Sequence, residues 1–125
     1  MKAGMVVEGR FPSLNDYVAA ERTNRIAGAR MKRRETERAR LAATVQAVPR
    51  FSGPVVVRFL WVEPNRRRDL DNVAFAKKFV LDGLVAAGVL DNDGQSHVAA
   101  LQDSFAVDPS HPRVVVEVED VGPRR

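Results

Sequence analysis

The densest apolar run in the chain is Val55-Val56-Val57-Arg58-Phe59-Leu60-Trp61-Val62. It is rich in β-branched and aromatic residues and too short for a helix between Ser52-Gly53-Pro54 and Pro64, so it predicts a strand. A weaker run, Met5 to Arg10, predicts a first strand broken by Phe11-Pro12-Ser13. Ser13 followed three residues later by Asp16 is a helix-start signature. From Leu14 to Val48 the pattern is helix-prone but weakens at Asn24–Gly28. It predicts a short helix near 14–22, a looser basic stretch, and a helix near 31–47. That second helix would bury Ala39, Leu41, Ala42, Ala43 and Val45 and turn its arginines outward. Beyond the Pro64 loop, Asp71 or Asn72 caps a helix running to about Ala87, with Gly88 as its stop. This helix is apolar most of the way round (Val73, Phe75, Phe79, Val80, Leu84), which predicts burial against a sheet and a further element. Asp91-Asn92-Asp93-Gly94 reads as a turn. Val98–Val107 and Arg113–Glu119 read as strands joined by Asp108-Pro109-Ser110-His111-Pro112, an expected antiparallel pair. Residues 122–125 are expected to fray. The order β-α-β-α-β-β describes one mixed α/β (α+β) domain over residues 1–125, with helices packed on a mixed sheet.

Composition narrows the class. The chain has 125 residues, 45% hydrophobic and 29% charged, which suits one globular domain whose modest core makes dimer formation an option. No apolar run is long enough for a transmembrane helix. Glu8 and Arg10 arrive too early for a signal-peptide core, so the cytoplasm is the expected location. With no cysteine, disulfide frameworks and thiolate zinc sites are excluded. Charge matters more by position than by its total of +4. Between Arg22 and Arg40 lie eight basic residues, including Arg30, Lys32, Arg33 and Arg34, against two acidic ones. A second knot is Arg66-Arg67-Arg68. A polyanionic partner, nucleic acid, fits both; the competing reading is a solvated helix face.

The candidate chemistry lies between Arg66 and Gln95. Asp69 and Asp71, two residues apart, point to the same side of an extended segment. Two close carboxylates repel unless a cation sits between them, and a hard divalent ion, Mg²⁺ or Mn²⁺, is the natural occupant. The competing reading makes Asp71 a helix cap and pairs Asp69 with an arginine. Three features favour chemistry. The carboxylates follow three arginines, as suits a phosphate backbone meeting a metal. Lys78 stands seven residues after Asp71, about two helical turns on, with its ammonium leaning back toward the carboxylates; otherwise it pairs with Asp82. Lys77 is the weaker candidate. The turn at Asp91-Asn92-Asp93-Gly94 supplies further carboxylates. His97 and His111 have no spaced partner for zinc, Ser13 and Ser52 have no triad partners, and no Gly-rich phosphate loop is present.

Arg66-Arg67-Arg68-Asp69-Leu70-Asp71-Asn72, then Lys78, then Asp82-Gly83-Leu84 and Ala87-Gly88-Val89-Leu90-Asp91-Asn92-Asp93-Gly94-Gln95, resembles the signature of RusA-type endodeoxyribonucleases, the Holliday-junction resolvases of bacteria and their phages. The resemblance is close over 66–98 and looser at Pro12-Ser13-Leu14-Asn15-Asp16-Tyr17. It implies a homodimer that binds four-way DNA junctions and nicks two strands symmetrically with Mg²⁺ or Mn²⁺, in recombination and repair, in a bacterial or phage setting. The family's metal-binding aspartates match Asp69, Asp71 and Asp93, and its essential lysine matches Lys78. The chain departs from familiar members by extra residues between Asn72 and Lys78 and by Asn92-Asp93-Gly94 in place of paired aspartates.

A straight helix over 72–87 would be roughly 24 Å long, with Asp93 beyond its far end. Either that helix bends near Gly83, or a dimer sets Asp93 of one chain beside Asp69 and Asp71 of the other; the second is the favoured expectation. The expected reaction is phosphodiester hydrolysis, with Lys78 at the phosphate and Arg66, Arg67, Arg68, Arg30, Lys32, Arg33 and Arg34 on the DNA backbone. The rivals are a non-catalytic basic DNA-binding accessory protein and a nuclease for other branched DNA.

Overall fold

The computed structural model describes residues 1–122; Pro123-Arg124-Arg125, most of the stretch expected to fray, lie outside the described residues. The elements are β1 (Lys2–Glu8), α1 (Leu14–Thr23), α2 (Arg25–Val45), β2 (Val55–Glu63), α3 (Leu70–Ala74), α4 (Lys77–Ala86), β3 (Val98–Val107) and β4 (Arg113–Asp120). The four strands form one mixed sheet in the order β1-β4-β2-β3. β4 pairs antiparallel with both β1 and β2, and β3 pairs parallel with β2. The expected mixed α+β domain is therefore what forms.

Alternation builds the core. Met5 and Val7 of β1, Val114, Val116 and Val118 of β4, and Val55, Val57, Phe59 and Trp61 of β2 are all buried. They meet Ala39 and Ala43 of α2 and Phe79, Val80 and Leu84 of α4 in a single cluster. Phe11, Tyr17, Phe75 and Phe79 extend it as a set of contacting rings, with Tyr17 and Phe75 centroids 5.5 Å apart. No described helix is long and apolar enough to cross a membrane.

The antiparallel pairing expected of the last two strands does not occur. β2 lies between them, and residues 108–112 step across its end, held by the Asp108 N–H on the Glu63 carbonyl at 2.9 Å. The reason is burial: β2 and β4 carry the inward valines and aromatics and take the central positions. β3, interrupted by Gln102-Asp103-Ser104, takes an exposed edge. The first strand begins at Lys2 rather than Met5 and ends before Gly9, whose φ of +84° turns the chain away.

The loose stretch expected after α1 is instead helical. Asn24 alone separates the two helices: its extended backbone ends α1, and its side chain accepts from the Ala27 N–H at 2.7 Å to start α2. Gly28 survives inside α2 because Glu21 of α1 packs where its side chain would be. α1 buries no residue, and the first half of α2 buries only Gly28, so together they form a helical arm. Leu41 and Val45, expected inside, are exposed; α2 meets its neighbours through Ala39 and Ala43, one turn apart.

The long helix expected over 72–87 is broken at Phe75-Ala76, with i→i+3 bonds from Ala76 to Val73 and from Lys78 to Phe75 replacing the regular ladder. No glycine or proline marks the break. The break coincides with a tertiary contact, where Phe75 and Phe79 both pack on Tyr17. The stop at Gly88 forms as expected: φ is +80°, Gly88 N–H reaches the Val85 carbonyl and Val89 N–H reaches Leu84.

α4 approaches α2 most closely at Gly83, where an added Cβ would fall 2.5 Å from the Ala39 Cβ and 2.8 Å from the Arg40 amide nitrogen. Gly83→Ala is therefore expected to destabilise the fold by about 2 kcal/mol through overpacking. Urea unfolding followed through Trp61, the single tryptophan, measures this; an unchanged midpoint would show that the helices separate freely.

Candidate nucleic-acid interface and carboxylate site

β2 delivers the chain into the Pro64–Arg68 loop, and α3 begins at Leu70. Arg68 pins this loop. Its guanidinium is turned inward, donating to the Phe11 carbonyl at 3.0 Å and to Asp16 at 3.1 Å, with Glu63 at 3.9 Å. Arg68 thus has an internal role, whereas Arg66 and Arg67 are exposed. Asn72 forms a second tie: its side-chain oxygen accepts from the Asn15 N–H at 2.9 Å. The two distant segments 12–17 and 66–72 meet through these bonds and through the Tyr17–Phe75 ring contact. Ser13 and Asp16 close a capping box at the start of α1. The Ser13 backbone N–H is the main influence holding the Asp16 carboxyl below its ordinary range, and Arg68 and Arg10 add to it.

Asp69 occupies the N-cap position of α3 but makes no capping hydrogen bond through its side chain. Asp71 lies in the first turn of α3. Both are exposed, and neither takes part in any ion pair found among the described residues. The structural duties envisaged for them, capping and arginine pairing, are not what they perform.

Asp93 stands elsewhere. Its carboxylate takes the Lys78 ammonium at 3.2 Å, and Asp82 takes the same ammonium at 3.1 Å. Asp69, Asp71 and Asp93 do not converge within one chain: among the described residues no group of three or more acidic or histidine side chains is placed to hold a metal ion. The trio expected from the sequence is thus divided, with Asp69 and Asp71 at the start of α3 and Asp93 with Lys78 on α4. The acceptors on Asp82 first, then on Asp93, raise the pKa of Lys78.

Lys77 goes to a different place. Its ammonium binds Asp103 of β3, whose other oxygen accepts the Trp61 indole N–H at 2.9 Å. Asp71, Lys77 and Asp103 line one groove of about 500 Å³, walled by Leu70, Ala74, Phe75 and Phe105. Sequence reasoning missed Asp103. Its signal is the alternation of β3, which sets it on the helix-facing side, paired in register with Phe59.

The basic residues divide similarly. Arg38 is consumed internally, over the Phe11 ring at 4.3 Å and bonded to Glu35 and to the carbonyls of Glu8 and Arg10; Arg40 pairs with Glu37. Arg22, Arg25, Arg30, Lys32, Arg33 and Arg34 lie exposed on the α1–α2 arm. None of these six is in an ion pair found among the described residues. His111 pairs with Glu8, and His97 lies beside Ser96 and Asp91.

No protein-family model matches the chain, and no curated protein matches it.

Because the folded pKa of Lys78 is raised, its pairing stabilises the fold fully below the unfolded value of 10.5 and loses that contribution as pH climbs through the folded value. Lys78 is half-exposed, so the contribution is on the order of 0.5 kcal/mol. The stability gap between wild type and Lys78→Met is expected to be flat around neutrality and to shrink in urea titrations above pH 10.5. A gap that widens with alkalinity would contradict this.

Proposed function

We infer that the chain is a metal-dependent endodeoxyribonuclease that cuts four-way DNA junctions by paired, symmetric nicks as a homodimer. One observation carries the reading. Among the described residues Asp69 and Asp71 are exposed and in no ion pair, as are the neighbouring Arg66 and Arg67 and six cations on the α1–α2 arm. A folded domain that neutralises most of its other charges gains nothing from leaving these two sets bare, unless a cation meets the first and a polyanion the second.

The donor set suits a hard divalent ion, because carboxylate oxygens without sulfur or imidazole favour Mg²⁺ or Mn²⁺. Asp69 and Asp71 would hold it, joined by Asp93 of the partner subunit. When bound, such an ion activates water toward phosphorus and offsets charge on the leaving oxygen. The chain's own residues supply the rest. Arg66 and Arg67 draw the sugar–phosphate backbone to the carboxylates. Arg30, Lys32, Arg33 and Arg34 grip a neighbouring segment by charge rather than by base sequence. Lys78 travels with Asp93, which sets an ammonium beside the phosphate in the same assembled site.

The separation of Asp93 from Asp69 and Asp71 favours assembly across a two-fold axis, since one chain does not bring the three together. A two-fold dimer then contains two equivalent sites, as two symmetric cuts require.

Asp71→Asn is expected to abolish cleavage of a synthetic four-way junction in Mg²⁺ while retaining junction binding in a gel-shift assay, because repulsion from phosphate falls. Wild-type binding without cleavage under any divalent ion would instead indicate an accessory DNA-binding protein. Preferential cutting of flaps over junctions in a substrate panel would redirect the specificity.

Mixing Asp71→Asn chains with Asp93→Asn chains tests the shared site. Each mixed dimer would contain one intact site, so nicking is expected to return although each variant alone is inactive. Mixtures as inactive as their components would place all three aspartates in one chain.

A further inference from the structure

We propose that Lys77 is a second phosphate-contacting lysine, on the same groove as Asp71 and held there by Asp103, which the buried indole of Trp61 fixes in turn. The inference rests on the phosphodiester reading above and adds residues to that site. Lys77 and Lys78 are adjacent on α4, so their side chains diverge by about 100°. Lys78 is committed to Asp82 and Asp93, while Lys77 lines the groove that contains Asp71.

The holding arrangement is a chain of contacts from the core outward. Trp61 is 2% exposed and stacked on Phe59 with centroids 5.4 Å apart, so its N–H is immobile. That N–H takes one oxygen of Asp103 at 2.9 Å, and the other oxygen takes the Lys77 ammonium. An ammonium has three donors. Asp103 uses one, and no other acceptor for Lys77 occurs among the described residues. The Lys77 side chain is partly exposed, at 26%.

The charge balance gives this cation a purpose. A phosphodiester brought to Asp69 and Asp71 meets two negative groups. Arg66 and Arg67 approach from the loop before α3, and Lys77 supplies positive charge from the groove side. Restraining the lysine before the substrate arrives removes the cost of ordering a long, flexible side chain at the moment of reaction. Lys77 would touch substrate; Asp103 is a positioning residue, because it acts only through Lys77.

The test uses wild type, Lys77→Ala, Lys77→Arg and Asp103→Asn. Single-turnover cleavage of a four-way junction is measured in Mg²⁺, junction affinity in Ca²⁺ by gel shift, and the Trp61 emission change on binding separately in Ca²⁺. Lys77→Ala is expected to lower the maximal rate by about 100-fold, with junction affinity little changed. Lys77→Arg should recover part of that rate. Asp103→Asn should lower the rate less than Lys77→Ala while leaving KM unchanged. Wild-type emission should shift when junction binds, as the ammonium turns toward phosphate, and Lys77→Ala should lack the shift. Cleavage by Lys77→Ala at the wild-type rate would overturn the proposal. So would losses in all three variants that merely track lowered melting temperatures. If wild type leaves every junction intact, the nuclease reading fails and the emission arm decides the contact: a shift abolished by Lys77→Ala supports it, and no shift overturns it.

Discussion

The placement of β2 between β4 and β3 is the constraint on which the rest of the structure depends. Burying Val55, Val57, Phe59 and Trp61 on one face requires a strand neighbour on each side and helices above. The parallel neighbour β3 is reached only through a crossover, and that crossover is the segment carrying Asp69, Asp71, Lys77 and Lys78. The candidate site is therefore attached to the most buried strand in the molecule. Its groove is shaped at one side by β3, through Asp103 and Phe105.

The internal use of charge separates scaffold from surface. Arg10 with Glu63, Arg38 with Glu35, Arg58 with Glu117 and Glu119, and Arg68 with Asp16 tie strands, helices and loops together. Pairs this exposed contribute little stability individually. Their consequence is geometric: Arg68 and Asn72 hold the 66–72 segment against 11–16, so the carboxylates next to them are displayed from an anchored loop. Among the described residues, two sets of unpaired charge of opposite sign stand out, carboxylates at the start of α3 and cations on the arm and at Arg66 and Arg67. That separation is what the proposed chemistry uses.

Two adjacent lysines illustrate how one helix serves two places. Lys78 joins Asp82 and Asp93, and Lys77 joins Asp103. A regular helix running unbroken from Asn72 would have aimed these side chains differently relative to Asp71. The break at Phe75-Ala76 resets that relation, and it falls where Phe75 and Phe79 pack on Tyr17, with no helix-breaking residue at the spot.

Local chemistry made much of the architecture legible in the sequence. The Ser13–Asp16 capping box, the β-branched run of β2, the glycine stop at Gly88 and the strand runs near the end each depend on neighbours within a few residues, and each forms near its expected position. The clustering of Asp69, Asp71 and the arginines was equally visible, because it is a property of adjacent residues. Features that depend on distant partners were not visible. β3 and β4 are separated because burial favours β2 between them. Leu41 and Val45 face outward because α2 touches its neighbours through a narrow alanine seam. Arg68 turns inward because Phe11 and Asp16 are waiting for it, and Asp93 is engaged by Lys78 at the start of α4 because the chain returns there after that helix. Sequence determined which residues cap, pair and alternate, since those forces act within one or two turns of chain; only the tertiary structure decided which charges stay unpaired, since that depends on what the folded chain brings opposite them.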